Sequence, residues 1–358
     1  MRIPQPALNW TAAAVIVLLG VVCGCAGVQV GGQGARIVLP PTTIVGDPKH
    51  IKSDIYDAYE LFDRAGKAFE ADDWAAAEHN YLKLINEYPD SELIALARYN
   101  LGLVYERNNR WAAALENYRE FPSPLGNEVR LEEVRMRRGI CLVRLGRYDD
   151  ARREFEAILQ QFGVPALEHN ETRVRLGVVY YYLQDDILAQ HYLEPALETY
   201  AENVEHGVRH ATAAYAEGYF VMGEIAYHRF LLVQLPGPGD ALAQALHDKA
   251  QTLIEAREYY TRAIRTYQPT WMIASLLRVG MCYEILHAAM LAVPEPPELT
   301  AEQRVEYHNQ LTTKIRPLLD KAMQAYRRNL ELAADFKMAD HWVDETRSRY
   351  EALLKRTE

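Results

Sequence analysis

Few residues in this 358-residue chain stand in a pattern that chemistry requires. Eleven histidines are scattered without His-Glu-x-x-His spacing, and neither a Cys-x-x-Cys pair nor a Gly-x-Ser-x-Gly turn occurs. His206 and His210 stand four residues apart with Glu202 a turn earlier, so all three could share one helix face. Zinc needs three or four ligands and no fourth follows, so surface histidines are the plainer reading. No metal and no cofactor is expected. The pairs Glu132-Glu133, Asp149-Asp150 and Asp185-Asp186 fall in or beside helix starts, where a carboxylate favours the positive end of the helix dipole without any acid–base role. Gly32-x-Gly34 lacks the preceding strand and following helix of a phosphate loop. No catalytic residue is therefore expected. One thiol does have a setting for reaction: Cys25 closes a leader in which Ala12–Val22 form an unbroken apolar run of eleven residues. That run is shorter than the roughly 20 residues that span a bilayer and fits the core of a secretory signal.

The leader ends in Val22-Cys23-Gly24-Cys25, which resembles the lipobox of bacterial lipoproteins, with an aliphatic residue three before the modified cysteine and a small one directly before it. Cys23 is an unusual middle residue for that motif. The resemblance implies lipidation of Cys25 after removal of residues 1–24. Ala26 stands where an aspartate tends to retain lipoproteins in the inner membrane, which leans towards the periplasmic face of the outer membrane. Residues 25–50, broken by Gly27, Gly31, Gly32, Gly34, Pro40, Pro41, Gly46 and Pro48, read as a flexible tether. The alternative is a plain secretory signal cut near Ala26.

The elements beyond the tether are helical and repeated. Trp74–Tyr81, Trp111–Tyr118 and Tyr148–Phe155 align at a constant offset of 37 residues, and the same offset links Ala65, Gly102 and Gly139. A small residue on one helix and an aromatic filling the groove beside it are what two closely packed helices need. This pattern resembles tetratricopeptide repeats, with Tyr99-Asn100-Leu101-Gly102 as the best first helix and Trp111–Tyr118 as the best second helix. Tyr88-Pro89-Asp90-Ser91 supplies a helix stop and a fresh cap. Weaker units follow at Leu176-Gly177, at Met222-Gly223 with Tyr260, and at Val279-Gly280 with Tyr326. Pro236-Gly237-Pro238-Gly239 and Pro294–Pro297 fall at the tips of longer hairpins, and a last amphipathic stretch from Asp340 would cover the end of the stack. The expected architecture is an all-α solenoid of about six hairpins: three regular units over 51–163, then irregular units with extended helices and a cap over 164–358. Cys141 and Cys282, each two residues after a repeat glycine, read as small buried hydrophobes.

With 49% apolar residues, 25% charged residues and a net charge of −10, the composition is that of a folded protein and disfavours nucleic acid as a partner. The resemblance implies that first helices line a groove for a partner segment. Position by position it assigns to that groove Tyr59, Phe62 and Phe69, then Tyr99, Leu103 and Arg107, then Met136, Ile140 and Arg144, then Val178, Tyr181 and Tyr182, and finally Phe220, Tyr227 and His228. Aromatics with arginine are the composition of binding hot spots. A clamp for acidic C-terminal tails would put lysine and asparagine there, so that version is disfavoured. Eight arginines between Arg130 and Arg153 form either a self-paired solvated face or a patch for an acidic partner. A lipobox, a tether and tetratricopeptide units resemble envelope lipoproteins such as those of outer-membrane β-barrel assembly, the Tol–Pal coordinator and the pilotins. The expected function is a non-enzymatic, membrane-anchored scaffold that binds protein partners in envelope assembly. An adaptor or pilotin of a motility, pilus or secretion machine is the alternative in the same class, and a peptidoglycan-acting enzyme the alternative in another.

Overall fold

Positive backbone angles recur in the turns of this chain with the period of the repeat. The computed structural model describes residues 56–121, 131–208, 210 and 212–357; the leader, Cys25 and the tether lie outside them, as does Arg130. In the turns at 71–73, 108–110, 145–147 and 183–185 the middle residue takes φ of 57° (Asp72), 56° (Asn109), 70° (Gly146) and 62° (Gln184). The next amide then reaches back across the helix end, Asp73 N to Ala68 O at 2.9 Å, Arg110 N to Tyr105 O and Arg147 N to Leu142 O at 2.8 Å, and Asp185 N to Tyr180 O at 2.9 Å. These left-handed closures satisfy carbonyls that the helix end would otherwise orphan. Only Gly146 enters that region without steric cost. Asp73 and Asp185 cap the returning helices, accepting from Ala76 N at 3.0 Å and Leu188 N at 2.9 Å.

The helices so delimited are α1 (Ala58–Glu70), α2 (Trp74–Glu87), α3 (Ile94–Arg107), α4 (Trp111–Arg119), α5 (Leu131–Arg144), α6 (Tyr148–Leu159), α7 (Ala166–Tyr182), α8 (Asp186–Glu205), α9 (Thr212–Leu232), α10 (Asp240–Arg265), α11 (Pro269–Leu291), α12 (Ala301–Asp335) and α13 (His341–Thr357). No strand occurs among the described residues. Consecutive helices pair as six hairpins, each hairpin packs on the next, and α13 lies across α12 and α11. The all-α hairpin stack read from the sequence is the observed fold. Both proline clusters fall between helices, at the tips joining α9 to α10 and α11 to α12. Ser91 does not cap α3; its hydroxyl accepts from Leu93 N at 3.2 Å within the turn, and α3 begins at Ile94 without a side-chain cap.

One contact closes each hairpin from the second to the sixth. A Cβ on Gly102 would stand 2.5 Å from the Tyr118 ring, one on Gly139 2.3 Å from Phe155, one on Gly177 2.6 Å from Leu193, one on Gly223 2.5 Å from Tyr260 and one on Gly280 2.2 Å from Tyr326. The bare backbone is what lets the two helices approach. In three hairpins the tyrosine also carries a polar link to the next element. Tyr118 donates to Glu106 at 2.7 Å, and Arg137 of α5 holds the same carboxylate at 3.2 Å. Tyr260 donates to Glu224 at 2.5 Å, which Arg278 of α11 holds at 2.7 Å. Tyr326 donates to Glu284 at 2.8 Å, which Arg349 of α13 holds at 3.1 Å. Burial first, and the adjoining carboxylate second, push all three phenols above their usual range, so they stay protonated donors.

The apolar side chains gather in two main cores that meet on α7. Leu176 and Val179 belong to the core of α1–α6, and Val174 and Val178 to the core continuing through α8–α13. Cys141 and Cys282 are both fully buried, and burial pushes each thiol up to about 12. Helix α11 is the one described helix long and apolar enough to cross a membrane, and more than half of that stretch is buried inside the stack.

Candidate partner-binding groove

The first helices of the third, fourth and fifth hairpins, α5, α7 and α9, present their N-terminal halves to one cavity of about 590 Å³. Its apolar surface comes from Met136, Ile140 and Ile158 with Ala213 and Ala214, and Gln268, just before α11, also lines it. Ala213 and Ala214 contribute only small side chains to that lining. A smaller void continues along the same helices between Val178, Arg144, Arg175 and Glu217. Burial raises the Glu217 carboxyl, opposed by the nearby charges of Arg144 and Arg175.

Charged groups ring the larger cavity. Tyr99 donates to Glu133 at 2.5 Å and Gln161 to Glu132 at 2.8 Å. Glu171 is held by Arg175 at 2.6 Å, with His210 Nε2 3.1 Å from its other oxygen. Arg137, also in the lining, pairs with Glu106 at 3.2 Å. Glu132 and Glu171 are buried to 7% and 8% exposure, so their charges lie within the wall and not on a loose surface. Of the cavity's lining, Met136 and Ile140 are legible as groove positions from repeat matching; the glutamates are not, because they sit in or just after the first helical turn, before the segment that carries the motif.

The residues assigned to the groove from the sequence part into three groups. Met136 and Ile140 line the cavity, and Arg144 and Val178 line the smaller void beside it. Tyr99, Phe220 and Tyr227 belong instead to the cores, at 7%, 6% and 5% exposure, a correction to their assignment as groove surface. Tyr99 packs on Tyr118 with ring centroids 5.8 Å apart, Phe220 on Trp271 at 5.1 Å, and Tyr227 beneath the Arg278 guanidinium at 5.2 Å. Tyr99 is covered within its own hairpin, whereas Phe220 and Tyr227 are covered by α11 of the next.

A third group forms a ladder between hairpins. Arg107 covers the Trp74 ring at 5.8 Å, Arg144 covers Trp111 at 5.8 Å and Tyr182 stacks on Tyr148 at 4.8 Å. In each case the last residue of a first helix covers the residue that opens the preceding second helix. Phe69 packs edge-on against Trp74 within its own hairpin, Phe62 against Tyr81, and Tyr181 stacks on the exposed His228 at 6.1 Å. Tyr59 is 61% exposed and donates to Glu92.

The arginine-rich segment is largely self-paired. Arg138 meets Glu154 at 2.5 Å, Arg147 and Arg153 both meet Asp150, and Arg152 lies between Asp149 at 3.4 Å and Glu156 at 3.5 Å. His206 ends α8 with its ring nitrogen 2.8 Å from the Glu202 carbonyl, whereas His210 turns to Glu171, so the three residues spaced for a metal do not converge. Among the described residues no group of three or more His, Cys, Asp or Glu is placed to hold a metal ion.

The tetratricopeptide repeat family model matches residues 60–91 and 133–163. No curated protein matches the chain. Among solved structures, a tetratricopeptide repeat protein from Parabacteroides merdae is 17% identical, the match covering 81% of this chain and 98% of that one with a TM-score of 0.39. A TPR repeats protein from Bacteroides fragilis is 14% identical over 83% of this chain and 99% of that one, with a TM-score of 0.33. The C-terminal part of a TPR repeat-containing protein from Cytophaga hutchinsonii is 14% identical over 82% of this chain and 95% of that one, with a TM-score of 0.39. The chain thus carries tetratricopeptide repeats at residues 60–91 and 133–163, set within an all-helical stack of hairpins.

Proposed function

We propose that this protein is a non-enzymatic scaffold, lipid-anchored through Cys25 to the periplasmic face of the outer membrane, that binds partner proteins during envelope assembly. The observation that carries the binding role is the cavity shared by the first helices α5, α7 and α9, which is large enough for side chains of a docked segment. Tetratricopeptide hairpins supply a frame for such a groove, because close glycine contacts, with an aromatic ring or with Leu193, join the helix pairs from the second hairpin to the sixth. The anchor rests on the leader ending in Val22-Cys23-Gly24-Cys25, and the Gly/Pro-rich segment after it would let the folded body stand away from the bilayer.

Two variants test the two halves of this reading. Cys25→Ser should release the protein from the membrane fraction and remove its acyl mass; retention of both refutes the anchor. Affinity capture from detergent-solubilised membranes should recover a partner with the wild-type chain and lose it with Met136→Asp plus Ala213→Asp. Equal recovery by that double variant, with its helical content intact, removes the groove from the function.

A further inference from the structure

The second helices of the fourth and fifth hairpins carry a cleft that shares no lining residue with the groove. The C-terminal ends of α8 and α10 flank this space of about 540 Å³, and its floor is Tyr200 and Tyr219 with Val204. We infer that the cleft docks a protein segment with basic residues along one flank and an acidic residue along the other, the cations meeting α8 and the anion meeting Arg265 of α10.

Glu198, Glu202 and Glu205 stand at i, i+4 and i+7 on the α8 wall, and all three are exposed. Their carboxylates make no ion pair or hydrogen bond among the described residues. Arg265 on the opposite wall is exposed and equally unpaired among them. Arg262 beside it holds Glu258 at 2.5 Å, but that is a surface pair one turn apart, which is weak and strands no buried charge when it opens. Acid and base thus face each other across the cleft, and no ion pair crosses it. The floor supplies the second feature. Tyr219 donates to the Leu197 carbonyl at 3.1 Å, whereas Tyr200, stacked on Tyr215 at 3.9 Å and only 7% exposed, has a hydroxyl with no hydrogen-bond partner among the described residues. A nearly buried phenol left open on the cleft is a donor and an acceptor ready for the backbone of an incoming segment. The helical rise spreads the three carboxylates over about 10 Å, which suits several residues of a chain better than one small zwitterion. Opposite walls also fix which way round the segment lies, because reversal sets like charges together.

The test is panning of the full chain in detergent against a phage-displayed library of random peptides, with selected peptides measured by fluorescence anisotropy. Cleft binders are those weakened by Ala201→Trp, which fills the space, and indifferent to Met136→Asp in the groove. They should carry both charges, and replacing the basic residue by norleucine or the acidic one by its amide should each weaken binding about tenfold. Glu198→Gln plus Glu202→Gln should weaken the original peptide to a similar extent and leave the norleucine peptide unchanged. Arg265→Gln should weaken the original and leave the amide peptide unchanged, and Tyr200→Phe should weaken every cleft binder while keeping the ring stack. Two peptides are compared on one variant each time, so misfolding cannot mimic the pattern. Absence of any peptide lost on Ala201→Trp overturns the site. Cleft binders indifferent to Glu198 and Glu202, or to Arg265, overturn the two-walled assignment. Phosphoethanolamine alone binding the cleft as tightly as the peptides overturns a protein segment as the occupant.

Discussion

The first three hairpins and the last two solve the same packing problem with different lengths of chain. In α3–α4 and α5–α6 the glycine and its aromatic lie 16 residues apart, Gly102 with Tyr118 and Gly139 with Phe155. In α9–α10 the pair is Gly223 with Tyr260, 37 residues apart, and in α11–α12 it is Gly280 with Tyr326, 46 apart. The helices grow from 9–14 residues in α1–α6 to 21–35 in α9–α12. Both arms lengthen beyond the contact, so the knob still reaches its hole. What defines a unit here is a contact at a fixed place on two helices, and not the number of residues between its members. The regular half adds the aromatic ladder of Trp74, Trp111 and Tyr148 at its turns; the longer half adds α13 as an end cover, with Val343, Thr346 and Leu353 facing inward at 3% exposure or less.

The largest effects should come from emptying the holes. Phe155→Ala and Tyr326→Ala each remove a fully buried ring and should destabilise their own hairpin by about 3–5 kcal/mol. Hydrogen exchange resolved by helix measures each loss locally, since long arrays need not unfold as one unit. If Tyr326→Ala costs less than half as much as Phe155→Ala, the longer hairpins are held by something else.

Filling the holes comes next. Alanine gains roughly 1 kcal/mol over glycine in helix propensity. At Gly102 and Gly280, however, the new Cβ meets ring atoms at 2.5 and 2.2 Å, and overpacking of about 1–3 kcal/mol wins. Gly66→Ala on α1, with nothing within 4 Å, should instead stabilise by up to about 1 kcal/mol. Opposite signs in thermal unfolding check the comparison within one chain; equal signs would mean that propensity alone governs these positions.

The smallest expected effect belongs to the ladder. Arg144→Ala removes one exposed cation from Trp111 and should cost about 0.5–1 kcal/mol, felt as faster exchange at the start of α4. No change there would demote the ladder to incidental contact.

Much of the fold was legible because it is written in local, one-dimensional form. The 37-residue offset, the small residue at each repeat position and the aromatics of the second helices determine that hairpins form and how they close. The proline clusters mark the tips for the same reason, since a backbone that cannot continue a helix says so wherever it stands. The left-handed turn residues were not legible, because Asp72, Asn109 and Gln184 adopt a conformation that their types do not demand.

The groove was legible only in part, with Met136 and Ile140 as the cavity residues found from the repeat. Whether an aromatic at a first-helix position faces a partner or another helix depends on how the hairpins stack, which no single helix encodes. Stacking buries Tyr99, Phe220 and Tyr227 and lays Arg107, Arg144 and Tyr182 on the preceding hairpin. It likewise brings glutamates from two first helices, 35 or more residues apart in the chain, around one space. Sequence by itself determined the hairpins and the leader motif, because helical period, turn chemistry and motif spacing act over neighbouring residues. Tertiary structure alone decided which surfaces remained open and which charges were already spoken for, because those depend on side chains that meet only after the hairpins stack.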